Sequence, residues 1–250
     1  MQLSQFFKEN PKVALAFSGG VDSAYLLYAA RLYGADVTAY YAASQFQPQF
    51  EKDDARRLAH ELEVPIKELQ IDVLKHDKII SNKADRCYHC KKTLFTEVIG
   101  AASQDGYPIL IDGTNASDSE DDRPGMRAIR ELFVRSPLRE CGLTKSEIRK
   151  LSKEVGLFTW NKPAYACLAT RISTGEEISL DKLQAVEESE NFLFSLGFHD
   201  FRVRVMGNIA KLQFQENDLQ RLINKRQSIV NELKKYFQDV LLDLEVRDEN

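Results

Sequence analysis

The chain has 250 residues, 34 of them basic and 38 acidic, for a formal net charge of −4. With 43% hydrophobic and 29% charged residues it has the make-up of an ordinary globular protein, long enough to bury a core without disulfide or metal staples. The acidic balance gives no broad basic field, which disfavours a large nucleic-acid footprint but leaves room for a local phosphate pocket.

The first residues, Met1 to Lys12, offer no apolar signal-peptide core, and no run approaches the roughly 18 apolar residues of a membrane helix. The expected setting is therefore the cytoplasm, without a membrane partner. Thiols stay reduced there, so the four cysteines read as metal ligands, sulfur carriers or core residues rather than as a disulfide framework.

Along the chain, Val13–Phe17 is a compact buried-strand candidate, followed by a Gly pair and a helical pattern through Val21, Leu26, Leu27 and Ala30. Val37–Tyr41 predicts a second strand and Lys52–Leu62 the next helix. Ile66–Ile71 alternates as a third strand, Tyr88–Ala102 reads as a helix, and Ile109–Ile111 as a fourth strand. This β-α-β-α order predicts an α/β fold, a parallel sheet covered by helices, with its ligand beyond the carboxyl ends of the strands. After Ser173-Thr174-Gly175 the pattern changes. A helix over Leu180–Leu196, strands Phe201–Val205 and Ile209–Phe214 joined by a Met206-Gly207-Asn208 turn, a helix over Leu219–Tyr236 and a strand Val240–Val246 predict a small α+β unit. The expected domains are 1–175 and 176–250.

The chemistry centres on Ser18-Gly19-Gly20-Val21-Asp22-Ser23, where a buried strand runs through two glycines into a helix. Glycines let backbone N–H groups close on an anion, the helix N-terminus adds partial positive charge, and Ser18 and Ser23 add hydroxyls. Asp22 beside phosphate makes sense if Mg2+ bridges it to a nucleotide, or if it caps the helix. The motif resembles the PP-loop of the ATP pyrophosphatase superfamily; no Gly-Lys-Ser/Thr follows, so it is not a Walker A loop. The resemblance implies a Rossmann-like nucleotide domain that cleaves ATP between the α- and β-phosphates. The substrate is adenylated, pyrophosphate leaves, and a nucleophile displaces AMP.

Cysteines bear on the nucleophile. Cys87-Tyr88-His89-Cys90 is a C-x-x-C, and Cys167 lies far downstream. The spacing leaves open a zinc site with Cys167 and His89, a redox pair, or an iron–sulfur cluster with Cys167. Cys141 reads as a small core residue. Around the acidic stretch Asp118–Asp122, Asn115 and Asp118 are candidates to position substrate or Mg2+ and Arg123 to lie near phosphates, against a solvated loop with local ion pairs. Arg202 and Arg204 alternate along one strand and so share a face, which suits a substrate phosphate.

A narrower resemblance rests on Asp112-Gly113-Thr114-Asn115-Ala116-Ser117-Asp118, Asp121-Asp122-Arg123-Pro124-Gly125, Ser136-Pro137-Leu138, Leu143-Thr144-Lys145 and Lys162-Pro163-Ala164-Tyr165-Ala166-Cys167-Leu168-Ala169-Thr170-Arg171. With the PP-loop, these look like the LarE family of ATP-dependent pyridinium-3,5-biscarboxylic acid mononucleotide sulfurtransferases, over nearly the whole chain. The resemblance implies that carboxylates of that pyridinium mononucleotide become thiocarboxylates for the nickel-pincer cofactor of lactate racemase. It implies that Cys87, Cys90 and Cys167 match the branch holding a [4Fe–4S] cluster, with zinc the less favoured occupant. It further implies substrate or nucleotide contacts for Arg171, Arg202 and Arg204, a divalent metal at Glu190 and Asp243, and homo-oligomers. The family usually continues Arg-Ile-Pro-Tyr-Gly where this chain has Arg171-Ile172-Ser173-Thr174-Gly175. Another PP-loop enzyme, such as a tRNA thiolase or an ammonia-dependent amide synthetase, or a nucleotide-binding metal sensor without turnover, are the alternatives.

Overall fold

The chain is described, from a computed structural model, for residues 2–118 and 124–247. It divides into two compact units, Met1–Val73 with Asp85–Lys162 and Leu74–Ala84 with Pro163–Asn250.

The first unit is built from α1 (Leu3–Glu9), β1 (Lys12–Ala16), α2 (Val21–Leu32), β2 (Asp36–Ala43), α3 (Gln49–Glu61) and β3 (Ile66–Gln70). After α4 (Asp77–Ile80), which belongs to the second unit, follow α5 (Arg86–Gln104), β4 (Leu110–Asp112), α6 (Pro124–Glu131), α7 (Pro137–Glu140) and α8 (Lys145–Glu154). The four strands form one sheet in the order β3-β2-β1-β4. Every pairing is parallel, as the alternation of strand and helix predicts.

Strand alternation explains why both sheet faces are covered. Val13 and Leu15 of β1, with Val37 and Tyr41 of β2, join the core that includes Phe6, Leu27 and Leu58. Ala14 and Tyr40 point the other way, into the core built with Val98, Ala102, Met126 and Ile129. Cys141 packs against the first of these cores, and burial pushes its thiol pKa up, in keeping with a core residue.

The second unit holds α9 (Leu180–Ser195), β5 (Phe201–Met206), β6 (Ile209–Phe214), α10 (Leu219–Leu233) and β7 (Asp239–Leu242). Its sheet runs β5-β6-β7, with β5 and β6 an antiparallel hairpin and β6 and β7 parallel across α10. Gly207 takes φ +59° in the hairpin turn, a conformation open to glycine. Phe198, Phe201 and Phe214 form an aromatic core, with Phe198 edge-on to Phe214 at 4.9 Å between ring centres.

The expected boundary at 175/176 and the observed division differ. Residues Pro163–Gly175 pack with the second unit because Asn82, buried in the segment Leu74–Ala84, donates through Nδ2 to the carbonyls of Ile172 and Ser173 at 3.2 and 2.8 Å. The Gly175 amide returns a bond to the Asn82 carbonyl at 2.8 Å. β7 also stops earlier than expected. At Asp243 the side chain accepts from the Glu245 amide at 3.3 Å, and this local turn ends the strand.

Among the described residues of the second unit, Arg171 and Glu190 form a fully buried ion pair. Arg171 Nε donates to Glu190 Oε1 at 2.9 Å and Nη2 to Oε2 at 3.2 Å, with both residues 1% exposed. Removing one partner of such a pair strands the other charge, which costs about 3–5 kcal/mol. Glu190→Ala is expected to lower the unfolding free energy of this unit by about that amount, read as a drop in the urea midpoint; an unchanged midpoint would refute the assignment.

Candidate active site

β1 and β4 are neighbours, and both end at the same edge of the sheet, where the chain turns into the Ser18-Gly19-Gly20 loop and the Asp112-Gly113 turn. Between these turns opens a cavity of about 340 Å³ bordered by Ser18, Asp22, Ser23, Lys91, Thr114 and Asp118. Its place beyond the strand ends is the one the fold class dictates for a ligand.

Two glycines make the loop possible. Gly19 has φ +73°, and a Cβ there would stand 3.2 Å from the Ala55 Cβ on α3. At Gly113 a Cβ would meet the Ser23 backbone nitrogen at 2.8 Å. α2 begins at Val21 after an extended Gly20, with no side chain capping its first turn. Its leading amides are therefore available to an anion, and the helix dipole favours one there. The serines hold the loop's shape: Ser23 Oγ donates to the Gly20 carbonyl at 3.1 Å and lies 3.0 Å from Ser18 Oγ.

Asp22 is the charged centre. Its Oδ2 accepts from Lys145 Nζ at 2.6 Å, while Oδ1 is buried and has no hydrogen-bond partner among the described residues. Burial pushes the Asp22 pKa up, Lys145 pulls it down, and the Asp118 carboxylate pushes it up again. A buried carboxylate oxygen without a donor is a hard ligand waiting for a cation, so the donor set at Asp22 and Asp118 fits Mg2+. Asn115 and Asp118 form a local turn in which Asp118 Oδ2 accepts from the Asn115 amide at 3.0 Å, and Arg139 fastens it by donating to the Asp118 carbonyl. Buried Asp112 shapes the neighbouring turn, accepting from Thr114 Oγ1 and Ser136 Oγ, each at 2.7 Å.

The structure thus brings together Ser18, Gly19, Gly20, Asp22, Ser23, Asn115 and Asp118, all expected from the sequence. Arg123 lies outside the described residues. Lys145 and Lys91 received no role from sequence. The Thr144-x-x-Glu147 capping box, realised here with the Thr144 amide donating to Glu147 Oε2 at 2.8 Å, is the signal that a helix begins at Lys145.

The cysteines are free thiols. Cys87 and Cys90 sit in the first two turns of α5, three residues apart and so on one face, with Arg86 Nη2 3.6 Å from Cys87 Sγ. Cys167 stands in the second unit at the head of the short helical turn Leu168–Arg171. Its carbonyl accepts from Thr170 Oγ1 at 2.7 Å, and Arg171 Nη1 donates to Thr170 Oγ1 and to the Ala166 carbonyl. Among the described residues, no group of three or more His, Cys, Asp or Glu side chains is gathered as a metal site.

Arg202 and Arg204 do share a face of β5. Burial, with Arg171 and Arg247 adding repulsion, lowers both pKa values, that of Arg202 to about 10. Arg202 Nη2 donates to the Ala164 carbonyl at 3.2 Å and Arg204 Nη1 to the Thr170 carbonyl at 2.6 Å, so both guanidinium groups border the Cys167 loop. Glu190 spends its oxygens on Arg171, Tyr165 and the Val203 amide. Asp243 accepts from Lys211 and Gln213, each at 2.8 Å. Each of these carboxylates carries its own cation.

A glycine turn that opens a helix without a P-loop lysine, and keeps a carboxylate oxygen in reserve, defines a PP-loop α/β domain. No protein-family model matches the chain. It is 36% identical over 211 residues to the pyridinium-3,5-bisthiocarboxylic acid mononucleotide synthase of Lactiplantibacillus plantarum, covering 84% of this chain and 76% of that one. An uncharacterized protein of Synechocystis sp. is 35% identical across 97% of this chain and 92% of its own. A tRNA-specific 2-thiouridylase of Clostridium botulinum is 26% identical over 60% of this chain and 52% of its own. The chain belongs to the family of the Lactiplantibacillus synthase, the LarE family, and with it to the ATP-dependent sulfurtransferases.

Gly113→Ala is expected to push the α2 N-terminus away from β4 and weaken ATP binding by about tenfold or more, measured by titration calorimetry, because displacements near 1 Å carry penalties of that order or larger. Binding at the wild-type level would show that the close approach at Ser23 is not required.

Proposed function

We propose that this enzyme adenylates the carboxylates of pyridinium-3,5-biscarboxylic acid mononucleotide and converts them to thiocarboxylates for nickel-pincer nucleotide cofactor biosynthesis. The observation that carries the reading is the cavity at the PP-loop, bordered by the start of α2, whose first turn has no side-chain cap and whose Asp22 keeps one oxygen without a donor. The product named for the Lactiplantibacillus relative supplies the substrate class.

In the first half-reaction a substrate carboxylate oxygen attacks the α-phosphorus of ATP, the bond to the β-phosphate breaks, and pyrophosphate leaves. The α2 amides and the Ser18 and Ser23 hydroxyls bind the phosphate oxygens, and Asp22 and Asp118 are the residues that would hold Mg2+. In the second, sulfide sulfur attacks the activated carbonyl carbon, AMP carries away the former carboxylate oxygen, and a thiocarboxylate remains. No general base is needed, since a thiolate or sulfide is already nucleophilic near neutral pH.

Cys87, Cys90 and Cys167 are assigned the sulfur delivery. Three thiolates suit a [4Fe–4S] cluster, which would supply an iron with room for an extra sulfide; zinc is the less favoured occupant. Arg202 and Arg204 are assigned the phosphate of the mononucleotide. An anion beside them would offset the burial, and the repulsion from Arg171 and Arg247, that lower their pKa values.

The test is anaerobic turnover of enzyme reconstituted with iron and sulfide, with ATP and the pyridinium dicarboxylate, followed by mass spectrometry. Wild type is expected to release AMP and pyrophosphate in step with thiocarboxylate. Cys167→Ala is expected to keep substrate-dependent ATP–pyrophosphate exchange yet make no thiocarboxylate. Undiminished thiocarboxylate from that variant would overturn the assignment of the sulfur route.

A further inference from the structure

The Lys145–Asp22 pair joins residues 123 positions apart at the edge of the cavity. Lys145 is the first residue of α8, and its backbone is pinned there. The Thr144–Glu147 capping box fixes the helix start, and the Lys145 amide donates to Ser117 Oγ at 3.0 Å. Its side chain is a different matter, 36% exposed and carrying a flexible stem. One turn on, Arg149 is tied to the Trp160 and Lys162 carbonyls at 2.8 and 3.0 Å. Lys162 itself faces Glu51 and Asp54 at 3.2 and 2.7 Å. Of these three cations, Lys145 is the one whose ammonium sits on a cavity carboxylate.

That carboxylate has two calls on it. Asp22 keeps Oδ1 without a donor while Oδ2 holds Lys145, and Asp118 lies close enough to act on it electrostatically. A divalent cation settling on Asp22 and Asp118 would make the ammonium superfluous and repel it. Released, it would stand within side-chain reach of the space where the polyphosphate of a nucleotide lies.

We propose that Lys145 is an exchangeable counter-ion, which guards Asp22 in the nucleotide-free enzyme, yields it to the divalent cation arriving with ATP, and then binds the β- and γ-phosphate oxygens through to pyrophosphate. The inference rests on the PP-loop cavity being the ATP site. It gives Lys145 opposite effects on two ligands: it competes with the bare cation and supports the polyphosphate. A residue that merely braces the loop has no reason to act with opposite signs.

The experiment uses the full-length protein and two probes, Mn2+ alone, followed by the electron paramagnetic resonance of the free ion, and pyrophosphate with Mg2+, followed by calorimetry. Lys145→Met is expected to tighten Mn2+ binding by about three- to tenfold and to weaken Mg2+-pyrophosphate binding by about tenfold or more, the scale of losing one charge-assisted contact at each site. Lys145→Arg keeps the charge and is expected to hold both affinities within about threefold of wild type. Parallel loss of both affinities, or no change in either, would overturn the exchange.

A second measurement does not depend on the Met variant folding. Wild-type lysines are reductively 13C-methylated, and the Lys145 signal is identified by its absence in Lys145→Arg. It is expected to move on adding Mg2+ and again on adding pyrophosphate; a signal indifferent to both sinks the proposal. If wild type binds neither probe, the nucleotide-site reading itself falls. If wild type binds both while Lys145→Met changes both in parallel, only the exchange does.

Discussion

Gly113 and the start of α2 pass so close that no side-chain carbon fits between them, and the site depends on that contact. A Cβ at Gly113 would lie 2.8 Å from the Ser23 nitrogen, and on the other side of the loop Gly19 runs against Ala55. The PP-loop is thus held between the exit of β4 and the flank of α3. Only this spacing lets the α2 amides and the Asp118 turn border one cavity, because parallel strands β1 and β4 deliver both loops to the same edge. Asp112 keeps the turn in place by satisfying its own carboxylate with Thr114 and Ser136 hydroxyls, so a buried charge becomes a brace.

Glu190 and Asp22 hold their charges in opposite ways. Glu190 is bound on both oxygens and shares its charge with Arg171, an arrangement that fixes the loop carrying Cys167 and leaves no ligand capacity. Asp22 is bound on one oxygen only. The first pattern suits rigidity and the second suits a site that must accept an ion, since an unsatisfied buried oxygen is costly until a ligand arrives. Charge saturation, more than burial, separates the bracing carboxylate from the one proposed to bind a cation.

Much of the fold was legible. Val13–Phe17, the glycine pair and the helix after it survive with boundaries shifted by a residue, because a fully buried parallel strand reads as an unbroken apolar run. The Phe201–Phe214 hairpin was legible from its alternation and turn. α8 was not assigned, although Thr144-x-x-Glu147 announces it; its residues Lys145, Arg149, Lys150 and Lys153 make it look like solvated surface. The partner of Lys145 is Asp22, and no local pattern reports a contact across 123 positions. For the same reason Glu190 looked available for a metal, since its match with Arg171 is tertiary. The boundary near residue 175 was read from a change of pattern, which cannot register a strap contributed by residues 74–84.

That strap has a consequence for how the protein is made. The chain passes between the two units at 73/74, at 84/85 and again at 162/163. Asn82, near the end of the strap, finds its acceptor Ser173 91 residues later. At a synthesis rate of roughly 5–20 residues per second, the strap waits on the order of 5 to 20 seconds on the ribosome before its partners exist. For that interval its backbone and the apolar Ile79 beside it belong to no finished structure. A single cut that leaves the second unit whole must fall before residue 74, and that fragment carries residues 85–162 of the first unit with it, so the second unit is never made or lost alone.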